Sequence, residues 1–149
     1  MKPKIKFALA LAAVPAMLAL ASGPASAADP SGGHWDLTGV GGDIAGAWAK
    51  GDWWQASDGR WHLSGTLKDT GNNDGMGAAF RLHAVYADGG TRDEEVWNTA
   101  GYGTTVPIGE YNFAASVRRF ELQECLLLKR SNGSIYVGYC APSTGYIYI

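Results

Sequence analysis

The sequence predicts an all-β protein: a two-sheet antiparallel β-sandwich of about eight strands, stapled by one hairpin disulfide. Three observations carry this. Beyond Asp43 no stretch sustains an apolar period of 3.6; short period-two runs recur between Gly, Asp and Asn turns. The only two cysteines, Cys125 and Cys140, lie symmetrically about Asn132-Gly133. Asn-Gly between β-type runs is a strong hairpin signal, and a turn centred there sets the two thiols directly opposite each other. Finally, the N-terminus reads as a secretory leader, which places the chain where disulfides persist.

That leader spans 1–27. Lys2, Lys4 and Lys6 precede an apolar run from Phe7 to Ala21, and Ala25-Ser26-Ala27 is a small-residue cleavage signature. The run is interrupted by Pro15 and falls short of the ~20 residues that a bilayer span needs. Residues 28–43 hold five glycines and one proline and read as a flexible Gly-rich arm, with Trp35, Leu37 and Val40 as its apolar residues. The sandwich domain is expected over 44–149, and the secreted chain is 28–149.

The strands follow in order. Ile44–Lys50 is a first strand, Lys50-Gly51-Asp52 a turn, and Trp53–Ala56 a short second strand. Arg60–Lys68 alternates, with Trp61, Leu63, Gly65 and Leu67 on one face. Asp69–Gly75 is a polar loop. Met76–Ala87 turns at Asp88-Gly89-Gly90 into Thr91–Thr99, 100–109 reads as loop, and Tyr111–Val117 restarts a strand. The apolar parity then switches from Phe113, Ala115 and Val117 to Phe120, Leu122, Leu126 and Leu128, so one extra residue is expected at Arg118-Arg119. After Cys140 a turn leads to a last strand, Tyr146–Ile149. The core is drawn from Ile44, Trp48, Trp61, Leu63, Leu67, Phe80, Leu82, Tyr86, Val96, Phe113, Val117, Phe120, Leu122, Leu126, Leu128, Val137 and Tyr139.

With even positions facing the core, Cys125 and Cys140 fall on the other face. The disulfide is therefore expected to clip the outer surface of the hairpin. A two-residue loop would make 125/140 a hydrogen-bonded pair, and a four-residue Ser131–Ser134 loop would make it the closer kind.

Charge excludes some partners. The 12 Lys+Arg fall to nine once Lys2, Lys4 and Lys6 are removed, against 14 Asp+Glu, a net of −5. A phosphate backbone or an acidic bilayer would want a basic footprint, so neither nucleic acid nor membrane is expected as partner.

No catalytic signature is present. His34, His62 and His83 accompany no Gly-x-Ser-x-Gly elbow, and Asp93-Glu94-Glu95 alternates faces instead of forming paired acids. Asp69, Asn72, Asn73 and Asp74 lack calcium-loop spacing and read as turn residues. No metal and no cofactor is implied. Trp53 and Trp54 are adjacent, so a strand must turn one of them outward, and Trp97 shares a parity with Glu95. Exposed, these three suit sugar stacking or a protein hot spot; the alternative is that they pack in a Trp-rich core.

Several motifs stand together: Ser64-Gly-Thr-Leu-Lys-Asp-Thr70, Asn73-Asp-Gly75, Ala87-Asp-Gly-Gly90, Asn98-Thr-Ala-Gly-Tyr-Gly103 and the paired cysteines. In these the chain resembles small secreted β-sandwich proteins of filamentous actinobacteria, among them the adaptor subunit of umbrella toxin particles. The resemblance implies a non-enzymatic extracellular subunit that joins a lectin-type subunit to a large toxin protein through its N-terminal arm. The matching segment here is His34, Trp35, Asp36 and Leu37. The other reading of that segment is a terminus whose Trp35 tucks against the domain. The alternative function is a carbohydrate-binding module using Trp53, Trp54 and Trp97.

Overall fold

The computed structural model describes residues 31–72 and 77–149; the leader at 1–27 lies outside them. Among the described residues nine strands run in order: β1 Gly32–Asp36, β2 Ala47–Gln55, β3 Trp61–Asp69, β4 Ala78–Tyr86, β5 Thr91–Asn98, β6 Thr105–Phe113, β7 Val117–Lys129, β8 Ile135–Cys140 and β9 Gly145–Tyr148. They form two antiparallel sheets. The first has the order β1-β2-β3-β6; the second has β5-β4-β7-β8, with β9 also on β7. The sandwich expectation holds, and among the described residues no helix is long and apolar enough to cross a membrane.

The core fills the space between the sheets. Leu63, Leu67, Phe80, Leu82, Ile108, Phe113, Phe120 and Leu122 are buried there. Phe113 of β6 meets Phe120 of β7 with ring centroids 4.8 Å apart, one of the contacts that lock the two sheets face to face.

Three expectations about the first sheet are corrected. The arm is not free, and the domain does not begin at Ile44. Gly32–Asp36 is a strand paired with β2, and Trp35 and Leu37 are 5% and 3% exposed. Lys50-Gly51-Asp52 is not a turn but the middle of β2. These two corrections share one cause. Trp35 pairs with Gly51, which pairs with Gly65, so three strands meet in one row. A Cβ on Gly65 would lie 2.8 Å from the Trp35 ring and 2.3 Å from the Lys50 carbonyl oxygen. Gly65 thus clears the space in which the indole lies, stacked on Phe80 of the opposite sheet at 5.2 Å, while Gly51 lets β2 approach the Ser64-Gly65 backbone of β3. Finally, Trp48 leaves the core: it shares the outward parity of Lys50, whose ammonium sits 4.1 Å over its ring.

Elsewhere a strand begins at Thr105 where a loop was expected, and its Pro107 is tolerated because β6 is an edge strand. The bulge expected at Arg118-Arg119 is present. Val85 pairs with Arg119 and Tyr86 with Val117, so Arg118 is the extra residue.

The hairpin keeps the cysteine pairing by a route the sequence pattern did not anticipate. Arg130 N–H donates to the Ser134 carbonyl, leaving a three-residue loop with Gly133 at φ 86°. That shifts the register by one, so Leu127 faces Val137. Between Leu126 and Leu127 the register shifts back, with Gly138 unpaired, and Cys125 again faces Cys140. The disulfide joins them with Cα atoms 3.9 Å apart. Ala141 N–H donates to the Glu124 carbonyl, so the adjacent cysteine pair is of the closer kind. The bridge lies on the outer face of the second sheet, as expected. It is covered there by a small separate cluster of Ala79, Leu127 and Val137. Leu126 and Leu128 are only half-buried and Tyr139 is 63% exposed, so the core expected from these hairpin positions is corrected.

Candidate functional site

Strand pairing sets out the exposed face of the second sheet as rows of side chains. Asp93, His83, Glu121 and Tyr146 form one row across β5, β4, β7 and β9. Glu95, Arg81 and Gln123 form the next. Trp97, Ala79, Cys125 and Cys140 form the one beyond. Asp93, His83 and Glu121 of the first row and Glu95, Arg81 and Gln123 of the second line an open depression of about 450 Å³, with Thr144 on its wall, and Tyr146 lies beyond it at the end of the first row. The depression forms where β8 ends and β9 begins. Gln123 has no strand partner on that side, and its amide donates instead to the Ala141 carbonyl at 2.7 Å.

Each of the three carboxylates on these rows has a side-chain partner. Arg81 donates to Glu95 at 2.7 Å and His83 Nδ1 pairs with Asp93 at 2.6 Å. Arg119 donates to Glu121 at 2.7 Å. Aromatic rings stand on two sides. Trp97, 40% exposed, donates its indole N–H to Glu95. Tyr146, 52% exposed, stacks on Tyr148 with centroids 5.8 Å apart.

The three tryptophans considered for sugar stacking do not converge. Trp53 turns inward and packs on Trp61 at 5.4 Å. Trp54 lies on the outer face of the first sheet, stacked on His62 at 5.3 Å. Trp97 alone belongs to the face just described. A single platform of Trp53, Trp54 and Trp97 is therefore corrected, because two sheets and a core separate its members.

The histidines are also dispersed. His34 pairs with Asp52 at 3.2 Å and His62 with Glu110 at 2.8 Å, both on the first sheet, while His83 lies on the second. Each of these contacts is a cross-strand imidazole–carboxylate pair. Among the described residues no group of three His, Cys, Asp or Glu is placed to hold a metal ion. Of the polar loop, Asn73 and Asp74 lie outside the described residues, while Asp69 accepts the Gly71 N–H, as a turn residue does.

The segment 34–37 is split by its strand geometry. Trp35 and Leu37 point into the core, while His34 and Asp36 stay exposed. Ser31 carbonyl accepts from Gln55 N–H and Leu37 N–H donates to Ala49 carbonyl. Odd residues of β1 therefore bond to β2, and the N–H and C=O groups of Gly32, His34 and Asp36 point to the free edge of the sheet. Asp36 also closes the strand. Its carboxylate accepts from the Thr38 hydroxyl at 2.7 Å and the Thr38 N–H at 2.9 Å, which hold its pKa below the usual range.

Two buried polar residues escaped sequence reasoning. Asn98 is fully buried at the end of β5; its amide donates to the Leu67 and Thr104 carbonyls, and its carbonyl accepts from Ala100 N–H. Glu124 is fully buried in β7, and its carboxylate accepts from Ala49 N–H at 2.6 Å and Ile44 N–H at 3.1 Å. Burial pushes its carboxyl up to about 7; the two N–H donors oppose that rise, and Asp43 adds to it. Glu124 shares the inward parity of Phe120 and Leu122, the one signal of its burial in the sequence.

Comparison with protein-family models finds none that matches, and comparisons with curated proteins and with solved structures find no match either.

Proposed function

We propose that this is a secreted, non-catalytic interaction subunit, an adaptor that links a lectin-type subunit to a large toxin protein in an extracellular antibacterial complex. The leader and the disulfide support an extracellular site of action. The identity of the partners rests on the sequence resemblance alone. The observation that carries the binding reading is the free edge of β1, in the very segment that the resemblance marks for docking. Among the described residues, the backbone groups of three successive outward positions, Gly32, His34 and Asp36, have no strand partner, and neither Gly32 nor Gly33 has a side chain to block approach. An unprotected edge of this kind accepts an added strand, with main-chain hydrogen bonds giving affinity. Trp35 and Leu37 then act as anchors that hold the edge in place, not as the contacts themselves.

His34→Pro tests this. It removes one outward N–H while leaving the bonds between β1 and β2 intact, since His34 is not among the residues that bond to β2. Tagged protein lacking the leader should capture stable protein partners from culture supernatant, and the Pro variant should lose them without a change in thermal stability. Equal capture by both would refute docking at the β1 edge.

A further inference from the structure

We infer that the outer face of the second sheet is a second, separate binding site, and that its ligand is an uncharged oligosaccharide. This goes beyond the adaptor reading and uses none of the β1 edge. The depression there has the size of a small-ligand site. Its chemistry argues for a polyhydroxylated ligand. Arg81, His83 and Gln123 supply donors, and Asp93, Glu95 and Glu121 supply acceptors, all on adjacent rows of rigid strands. Each carboxylate is already paired with a cation or an imidazole, yet keeps lone pairs for a hydroxyl. A phosphate or sulfate would face the carboxylates, and a cation would have to displace Arg81, His83 or Arg119 from the carboxylate each already holds. A neutral chain of hydroxyls meets neither penalty.

The aromatic rings complete the argument. A sugar ring has an apolar C–H face that packs on a flat π-system. Trp97 is held beside the depression by its bond to Glu95, and Tyr146 flanks Glu121 in the neighbouring strand. Three strand spacings across and four residues along separate their positions, about 20 Å on the diagonal. That length fits a short chain of rings running through the depression, not a single ring. A protein partner fits this face less well: the centre of a protein interface is depleted in charge, whereas here charged groups hold the centre and the aromatics hold the ends.

The full chain without its leader should be retained on at least one insoluble neutral polysaccharide among cellulose, chitin and mannan. The matching tetrasaccharide should bind in isothermal titration. Trp97→Ala and Tyr146→Ala should each weaken it about tenfold. Both side chains are exposed, so thermal unfolding of the variants should match the parent. Trp54→Ala on the opposite sheet and His34→Pro should leave saccharide binding unchanged, which separates this site from the β1 edge. Three results would overturn the inference: no retention on any of the three polymers, retention indifferent to Trp97→Ala and Tyr146→Ala, or dependence of protein-partner capture on those two rings instead.

Discussion

Replacing Glu124 with Gln should flatten the pH dependence of stability. The carboxyl is fully buried and titrates near 7, against 4.5 for an unperturbed glutamate. The native state therefore holds its proton more tightly than the unfolded chain does. Between those two values the native state binds more protons, so stability falls as pH rises, and the loss is complete above the native value. The shift corresponds to about 3 kcal/mol at 1.36 kcal/mol per unit. The glutamine side chain keeps the volume and can still accept from Ala49 N–H, but its NH₂ cannot accept from Ile44 N–H. That costs about 1 kcal/mol at every pH. Urea unfolding with the disulfide intact, at pH 4 and pH 8, gives the comparison. Relative to the parent, the variant should gain about 3 kcal/mol between the two conditions, passing from slightly less stable to more stable. Taking the difference cancels other carboxylates such as Asp36, whose lowered pKa contributes with the opposite sign. Parallel curves would refute the argument, since they would mean that Glu124 gains no proton affinity on folding.

Two further outcomes follow from the same structure. Trp35→Ala removes the indole that spans Gly51 and Gly65 and stacks on Phe80, and should cost about 3–5 kcal/mol in urea unfolding. If β1 were a free arm, the cost would be near zero. Converting both Cys125 and Cys140 to Ser opens a loop of 15 residues and should lower stability by about 3 kcal/mol, with no effect on partner capture if the bridge is only a staple.

What could be read from the sequence was local or symmetric. Period-two alternation located β3, β4 and β7, and the parity switch located the extra residue at Arg118. The cysteine pairing was right although the assumed turn was wrong by one residue, because the irregularity at Gly138 cancels the shift of the loop. Leu127 and Val137 fall between those two irregularities, so the core assigned to the hairpin was lost while the disulfide was not. Long-range causes were invisible. Gly51 looks like a turn residue, and only its close approach to the Ser64-Gly65 backbone of the neighbouring strand explains it; a Gly-rich arm and a Gly-rich edge strand read alike from composition. The candidate sites fared unevenly for the same reason. Alternation shows that one of Trp53 and Trp54 points outward, but not which sheet bears it. The depression depends on the gap between β8 and β9, which no local pattern encodes.

Amide hydrogen exchange on the protein alone and with its captured partner tests the adaptor account most directly. The account predicts that Gly32, His34 and Asp36 gain protection on binding, while Gly33, Trp35 and Leu37, whose N–H groups already face β2, change little. Protection confined to other strands, or no change along β1, would contradict it.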